Sequence, residues 1–229
     1  MYEREYYEPV TTMQLGFFGV GEASIAPSSG SERTELGHGA WVEVRRGWLL
    51  GADTLCDELV EAVPWRHNRR FMYERVVDEP RLTKWYGPGD DLPSQALDIV
   101  GEQLAQLHKV TLIGPGLNYY RDGRDSVAFH ADRELRYLDS TIVAIVTLGA
   151  TRPFLVRPLG GGRSLDFRPG SGDLLVMGGT CQKFFEHAVP KVASSGPRVS
   201  ASWRWAAGPR LHAARPKVHA ARPSFTTEH

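Results

Sequence analysis

Apolar and polar positions along the chain fall into two regimes. Between residues 52 and 108 apolar residues recur every three or four positions, the period of a helix that buries one face. Leu55, Leu59 and Val63 repeat at four-residue intervals, with Asp53 placed to cap the first turn and Pro64 to end the helix. A second helix is predicted from Ser94 to His108, with Leu97, Val100, Leu104 and Leu107 turned inward. From Asn118 the pattern shortens to β-branched or aromatic runs separated by Gly, Pro and Asp, as in an antiparallel sandwich or barrel. The predicted strands are Trp41 to Val44, Ser126 to His130, Thr141 to Leu148, Phe154 to Val156, Ser164 to Phe167, Asp173 to Met177 and Arg198 to Trp205. The first forty residues, with Gly and Ser clustered at 27–31, read as an irregular arm. Residues 206–229 are rich in Ala, Arg and Pro, repeat His-Ala-Ala-Arg-Pro at 212–216 and 219–223, and offer nothing to bury, so they read as a disordered basic tail.

Composition narrows the class without naming it. A chain of 229 residues that is 41% apolar and 24% charged suits one soluble domain, and no apolar stretch approaches the ~20 residues that cross a bilayer. The charged start, Met1-Tyr2-Glu3-Arg4-Glu5, lacks the pattern of a secretory signal, so a cytoplasmic, monomeric protein without a membrane partner is expected. The two cysteines, Cys56 and Cys181, have no CxxC spacing, which leaves His and carboxylates to hold any metal. Lys plus Arg and Asp plus Glu balance at 27 each, so global charge argues for no partner. Locally, Arg66, Arg69, Arg70, Arg75, Arg81 and Lys84 outnumber Glu74, Asp78 and Glu79, which a solvated face also explains.

His130 and Asp132 are one residue apart and on a strand would leave the same face. With 8 His and 27 acids in 229 residues such a pair arises about once by chance, so it carries weight only in context. The context is His187, across the β-region. Two imidazoles and a carboxylate are the facial triad of non-haem Fe(II) oxygenases, and equally a zinc set. On the last strand Arg198, Ser200, Ser202 and Arg204 share one face. A guanidinium there fits a carboxylate ligand, or an internal ion pair with Asp139, Asp166 or Asp173.

Four ordered motifs resemble one family. Asn118-Tyr119-Tyr120-Arg121-Asp122-Gly123-Arg124-Asp125, then His130-Ala131-Asp132, the run Gly170 to Met177, and Arg198 with Arg204 are similar to the signatures of the AlkB family of nucleic-acid dealkylating dioxygenases, over roughly residues 40 to 205. The resemblance implies a mainly β fold with flanking helices, a double-stranded β-helix (jelly roll) core and an N-terminal α/β nucleotide-recognition lid. It divides the chain into an arm at 1–40, a dioxygenase domain at 41–205 (helices and lid at 41–117, jelly roll at 118–205) and the tail. It implies that His130, Asp132 and His187 bind Fe(II), and that Asn118, Tyr120, Arg198, Ser200 and Arg204 surround 2-oxoglutarate, with Arg198 on the distal carboxylate. Ser200 departs from the pattern, since an Asn often stands there.

The implied reaction consumes O2 and 2-oxoglutarate, forms succinate, and removes an oxidised N-methyl group as formaldehyde. Residues 80–87, Pro-Arg-Leu-Thr-Lys-Trp-Tyr-Gly, resemble the family's DNA-repair branch. Met72, Tyr73 and Arg75 then fall on a lid hairpin, and Trp85, Tyr86 and Glu134 become base-contacting candidates; for the two aromatics core packing is an equal alternative, and for Glu134 a solvated position. The expected partner is alkylated DNA carrying 1-methyladenine or 3-methylcytosine. The alternatives are the same iron chemistry on RNA, protein or a small molecule, a nucleic-acid-binding jelly roll without chemistry, and a zinc hydrolase.

Overall fold

A computed structural model describes residues 22–72 and 75–206, with the backbone alone described for 68–72, 75–78 and 206. Tyr73, residues 1–21 of the expected arm and the tail from 207 lie outside the described residues. In chain order the elements are β1 (Ser24–Ile25), β2 (Ser31–Gly37), β3 (Ala40–Arg45), β4 (Leu49–Leu50), α1 (Ala52–Ala62), β5 (Arg66–Met72), β6 (Arg75–Trp85), α2 (Gln95–His108) and β7 (Ile113–Tyr120). There follow β8 (Val127–His130), β9 (Thr141–Gly149), β10 (Leu155–Pro158), β11 (Leu165–Asp166), β12 (Leu174–Gly179), the single turn α3 (Cys181–Phe184), β13 (Phe185–Val189) and β14 (Arg198–Ala206).

Two antiparallel sheets carry the fold. The larger runs β2-β3-β12-β9-β14-β7-β6-β5 and the smaller β11-β10-β13-β8, with β1 and β4 as a separate pair. Alternate residues of the large sheet serve two cores. Val143, Ile145, Leu175 and Met177 face the small sheet, where Phe154, Val156, Phe185 and Val189 meet them. Ala144, Val146, Leu148, Leu174, Val176, Val199, Ala201 and Trp203 face the other way, onto Leu55 and Leu59 of α1 and Leu97, Val100 and Leu104 of α2. This double burial explains why Thr141 to Leu148 is almost continuously apolar rather than alternating. Each fully buried leucine contributes roughly 1.5–3 kcal/mol, so the two helices are held mainly by this face.

Several sequence expectations are corrected. The arm is not irregular to residue 40: Ser31–Gly37 forms β2, paired with β3, and its largely exposed polar side chains gave no alternation to read. Asp53 does not cap α1; the N-cap is Gly51, at φ 69, where a side chain would be strained, and Asp53 lies in the first turn. Ser94 does cap α2, accepting from the Ala96 N–H, but Leu107 is 37% exposed rather than inward.

Candidate active site

His130 ends β8, and His187 is its register partner in the middle of β13. Their ring centroids are 4.3 Å apart, and Phe154 stacks on His187 at 5.6 Å. Asp132 does not share a strand with His130, as the spacing suggested. β8 stops at His130, and Asp132 opens a turn in which its carbonyl accepts from the Leu135 and Arg136 amides at 2.9 and 3.0 Å. The buried Gln182 side chain accepts from the Asp132 N–H at 2.8 Å and fixes this departure from the strand. The three residues each offer one ligand atom, all within 4.8 Å of one another. His130 Nδ1 lies 2.9 Å from the Ala128 carbonyl, which can only accept, so Nδ1 donates there and Nε2 is the ring nitrogen turned toward Asp132, 3.8 Å from its Oδ1.

The electrostatics suit a cation. Burial opposes ionisation of Asp132, but Arg204 and the two imidazoles outweigh it and hold the carboxyl at about 2. Burial, helped by His130, pushes His187 down to about 3, so its ring is neutral near pH 7. Ionised carboxylate and neutral imidazole are the forms that ligate metals. Arg204 donates from Nε to Asp132 Oδ2 at 2.6 Å and from Nη1 to Ser202 Oγ at 3.1 Å.

A cleft of about 610 Å³ opens beside this cluster between the two sheets, with Asn118, Tyr120, Ser200, Ser202 and Arg204 on its large-sheet wall. Behind this wall, against Ser200 and the Tyr120 ring, Arg198 is fully buried. Its Nη1 donates to Ser200 Oγ at 2.6 Å and its Nη2 to Thr147 Oγ1 at 3.2 Å, its guanidinium lies 5.3 Å from the Tyr120 ring, and its Nε has no partner. The internal ion-pair alternative fails for Arg198, because Asp139 pairs with Lys183, Asp166 with Arg168 and Asp173 with Arg46. Among the described residues no carboxylate neutralises this cation. A buried guanidinium bonded only to neutral hydroxyls is costly until an anion arrives, and the residues present therefore fit a carboxylate ligand next to a metal. Ser200, the departure noted in sequence, is the hydroxyl that orients Arg198.

The base-contacting candidates divide. Trp85 is 39% exposed and stands on the cleft face of β6, its ring over Gly116, where an added Cβ would come within 2.8 Å of it. Tyr86 is buried in the core beneath the helices, so for it the core-packing alternative holds. Glu134 does not extend a strand; it is exposed in the turn after Asp132 and reaches the cleft rim from there. Only the backbones of Met72 and Arg75 are described, and these two residues face each other across the β5–β6 hairpin. The sequence reading missed Thr147 and Gln182. Thr147 was visible as the one polar residue within the apolar run after Thr141; nothing in the sequence singled out Gln182.

A β-sandwich with two His and one Asp lining a cleft, and a buried Arg without a carboxylate partner behind its wall, defines a class, the non-haem iron oxygenases that use an acidic cosubstrate. The chain matches the 2OG-Fe(II) oxygenase superfamily over residues 51–226, and it belongs to that superfamily, within its AlkB-like branch. It is 31% identical over 210 residues to the human alpha-ketoglutarate-dependent dioxygenase alkB homolog 3, covering 81% of this chain and 70% of the relative. It is 25% identical over 250 residues to the DNA oxidative demethylase ALKBH2 of Arabidopsis thaliana, covering 87% and 77%. Among solved structures, a Pseudomonas putida prolyl-4-hydroxylase shares the fold at TM-score 0.53 and 16% identity over 72% of this chain and 91% of that one. OsALKBH1 does so at 0.50 and 14%, over 76% and 99%. The protein is thus a dioxygenase whose cofactors are Fe(II), 2-oxoglutarate and O2, which excludes the zinc-hydrolase and non-catalytic alternatives. No helix among the described residues is long and apolar enough to cross a membrane.

Proposed function

We propose that this enzyme oxidatively demethylates N-alkylated nucleobases, with 1-methyladenine and 3-methylcytosine in DNA as substrates and direct repair of alkylation damage as its role. The observation that carries the chemistry is the His130–Asp132–His187 cluster in a cleft whose wall residues Ser200 and Tyr120 cover the uncompensated Arg198. The nucleic-acid assignment is supported by similarity to alkB homolog 3 and to a DNA oxidative demethylase. A cleft of about 610 Å³ is of small-ligand size, roughly 300–1,000 Å³, and receives a base only after it leaves a duplex.

In this reading His130, Asp132 and His187 hold Fe(II), which with O2 supplies the oxidising power. Arg198 takes the distal carboxylate of 2-oxoglutarate through charge-assisted hydrogen bonds, Ser200 and Thr147 orient it, and Tyr120 closes the inner wall. Asn118 faces the bound cosubstrate. Arg204 holds Asp132 ionised and aimed, with its remaining nitrogen directed to the cosubstrate. Trp85 and Glu134 meet the extruded base. Residues 41–205 act as the dioxygenase domain, and the β5–β6 hairpin within 41–117, in which Met72 pairs with Arg75, is the nucleotide-recognition lid, with Arg75 and Tyr73 as its expected substrate contacts.

Mass spectrometry of a 3-methylcytosine DNA oligonucleotide, incubated aerobically with Fe(II) and 2-oxoglutarate, tests the reading. Wild type should remove one methyl group and Asp132→Ala none. Succinate formation by wild type with every methylated DNA left intact would remove the DNA assignment and point to RNA, protein or a small molecule.

A further inference from the structure

Arg81 is a charged residue of the cleft that the reading above leaves without a task, as it does Glu79 and Arg133. It projects from β6 into the cleft, its side chain is 13% exposed, and its Nη2 is 3.4 Å from Glu79 Oε2. Its Nε donates to Asn118 Oδ1 at 2.9 Å. β6 and β7 pair with Thr83 opposite Asn118, so Arg81 and Asn118 are diagonal neighbours on the inner face of the sheet. On the other side of β7, Asn118 is opposite Ser200, the hydroxyl that orients Arg198.

A guanidinium only donates hydrogen bonds, whereas an amide side chain has one accepting and one donating end. With Arg81 beside it, Asn118 has to turn its oxygen toward Arg81, and the end left over is the N–H2 group. We propose that Arg81 is a positioning residue for the cosubstrate, holding the Asn118 amide so that its N–H2 faces the cleft and donates to a 2-oxoglutarate carboxylate. The inference rests on the reading of Asn118 as a cosubstrate contact. Without Arg81 the amide is free to flip, and in the flipped form its oxygen faces a carboxylate and repels it. Glu79 restrains the guanidinium from behind, so the line Glu79–Arg81–Asn118 points one way.

The test is equilibrium calorimetry of 2-oxoglutarate binding to protein loaded with Mn(II) in place of iron, together with steady-state succinate formation by the iron enzyme. Arg81→Met should weaken 2-oxoglutarate binding on the order of tenfold and raise its KM in step, with kcat at saturation changed by less than about threefold. Arg81→Lys, which still donates to the Asn118 oxygen, should recover binding to within about threefold of wild type. Asn118→Asp keeps the shape but turns an acceptor toward the cosubstrate, and should bind it more weakly than Asn118→Ala; this comparison stands even if Arg81→Met fails to fold. Unchanged binding in Arg81→Met alongside weakened binding in Asn118→Ala would overturn the Arg81 role alone. Unchanged binding in both would overturn the Asn118 reading itself, and Asn118→Asp binding as tightly as wild type would overturn the amide orientation.

Discussion

Replacing Arg198 by Met should make the protein more stable without ligand and blind to its cosubstrate. The guanidinium is fully buried, bonds only to the neutral hydroxyls of Ser200, Thr147 and Tyr120 and leaves Nε unpaired, so the ligand-free fold carries an uncompensated charge. Its removal returns about 3 kcal/mol of desolvation cost. Against that, Ser200 and Thr147 lose a donor, which costs about 1–2 kcal/mol together when they find backbone acceptors instead. The net gain is about 1–2 kcal/mol, or about 2–8 °C in Tm at roughly 2–4 °C per kcal/mol for a chain of this size.

The ligand response should move the other way. At a hundredfold excess over Kd, 2-oxoglutarate stabilises wild type by about 2.7 kcal/mol. If loss of the charge-assisted pair weakens binding about a hundredfold, the same concentration stabilises Arg198→Met by only about 0.4 kcal/mol. Differential scanning calorimetry of the Mn(II)-loaded proteins, with and without 2-oxoglutarate, reads both numbers. Arg198→Lys serves as the control, since it keeps the charge but loses the fork, and should recover only part of the shift. A ligand-free Arg198→Met that melts well below wild type, with its 2-oxoglutarate shift intact, would refute the reasoning and make Arg198 a structural brace.

The two neighbouring aromatics should separate cleanly. Trp85→Ala should raise KM for a methylated oligonucleotide several-fold with the melting temperature nearly kept, whereas Tyr86→Ala should cost about 3–5 kcal/mol of stability in urea denaturation; equal stability losses would remove Trp85 from the substrate side. Asp125 accepts from the Arg121 backbone and guanidinium, and although burial raises its pKa these bonds outweigh burial and leave it below the ordinary 3.8. A folded value below the unfolded one stabilises fully above pH ~4 and is lost as pH falls through the folded value. Asp125→Asn should therefore lower stability at pH 7 by about 1–2 kcal/mol, discounted because the Arg121 side chain is 43% exposed, and should flatten the acid limb; an unchanged acid limb would show that the pair contributes nothing.

The residues that were legible in sequence are those whose chemistry leaves little choice. Arg198, Ser200, Ser202 and Arg204 alternate with Val199, Ala201 and Trp203 on β14, and only a strand between a polar cleft and an apolar core asks for that pattern. The triad was legible as a set of donor types, not as geometry: the spacing suggested one strand face, while the chain leaves the strand at His130 and relies on Gln182 to set Asp132. β7 was not among the predicted strands, because its Gly114, Pro115 and Gly116 hold no apolar alternation, yet Gly116 is needed where the Trp85 ring lies on the strand. β2 was hidden for the opposite reason, an outer strand with polar residues on both faces. Both failures concern what lies beside the strand, information that local periodicity does not hold.

The strand order also explains why one scaffold serves unlike substrates. β14 lies between β9 and β7 and β13 lies between β10 and β8, so Arg198 and His187 are set by interior strands, and His130, at the end of the edge strand β8, is set by its register with His187. Among the described strands the β5–β6 hairpin pairs with β7 alone, at the outer end of the large sheet, with a further bond from the Ser126 N–H to the Pro80 carbonyl. A prolyl-4-hydroxylase and OsALKBH1 share this fold at similar TM-scores, so the sandwich by itself does not set the substrate. In the proposed reading substrate choice belongs to the hairpin and the cleft face of β6, and Arg81, which leaves β6 to bond Asn118, joins that edge to the interior strands.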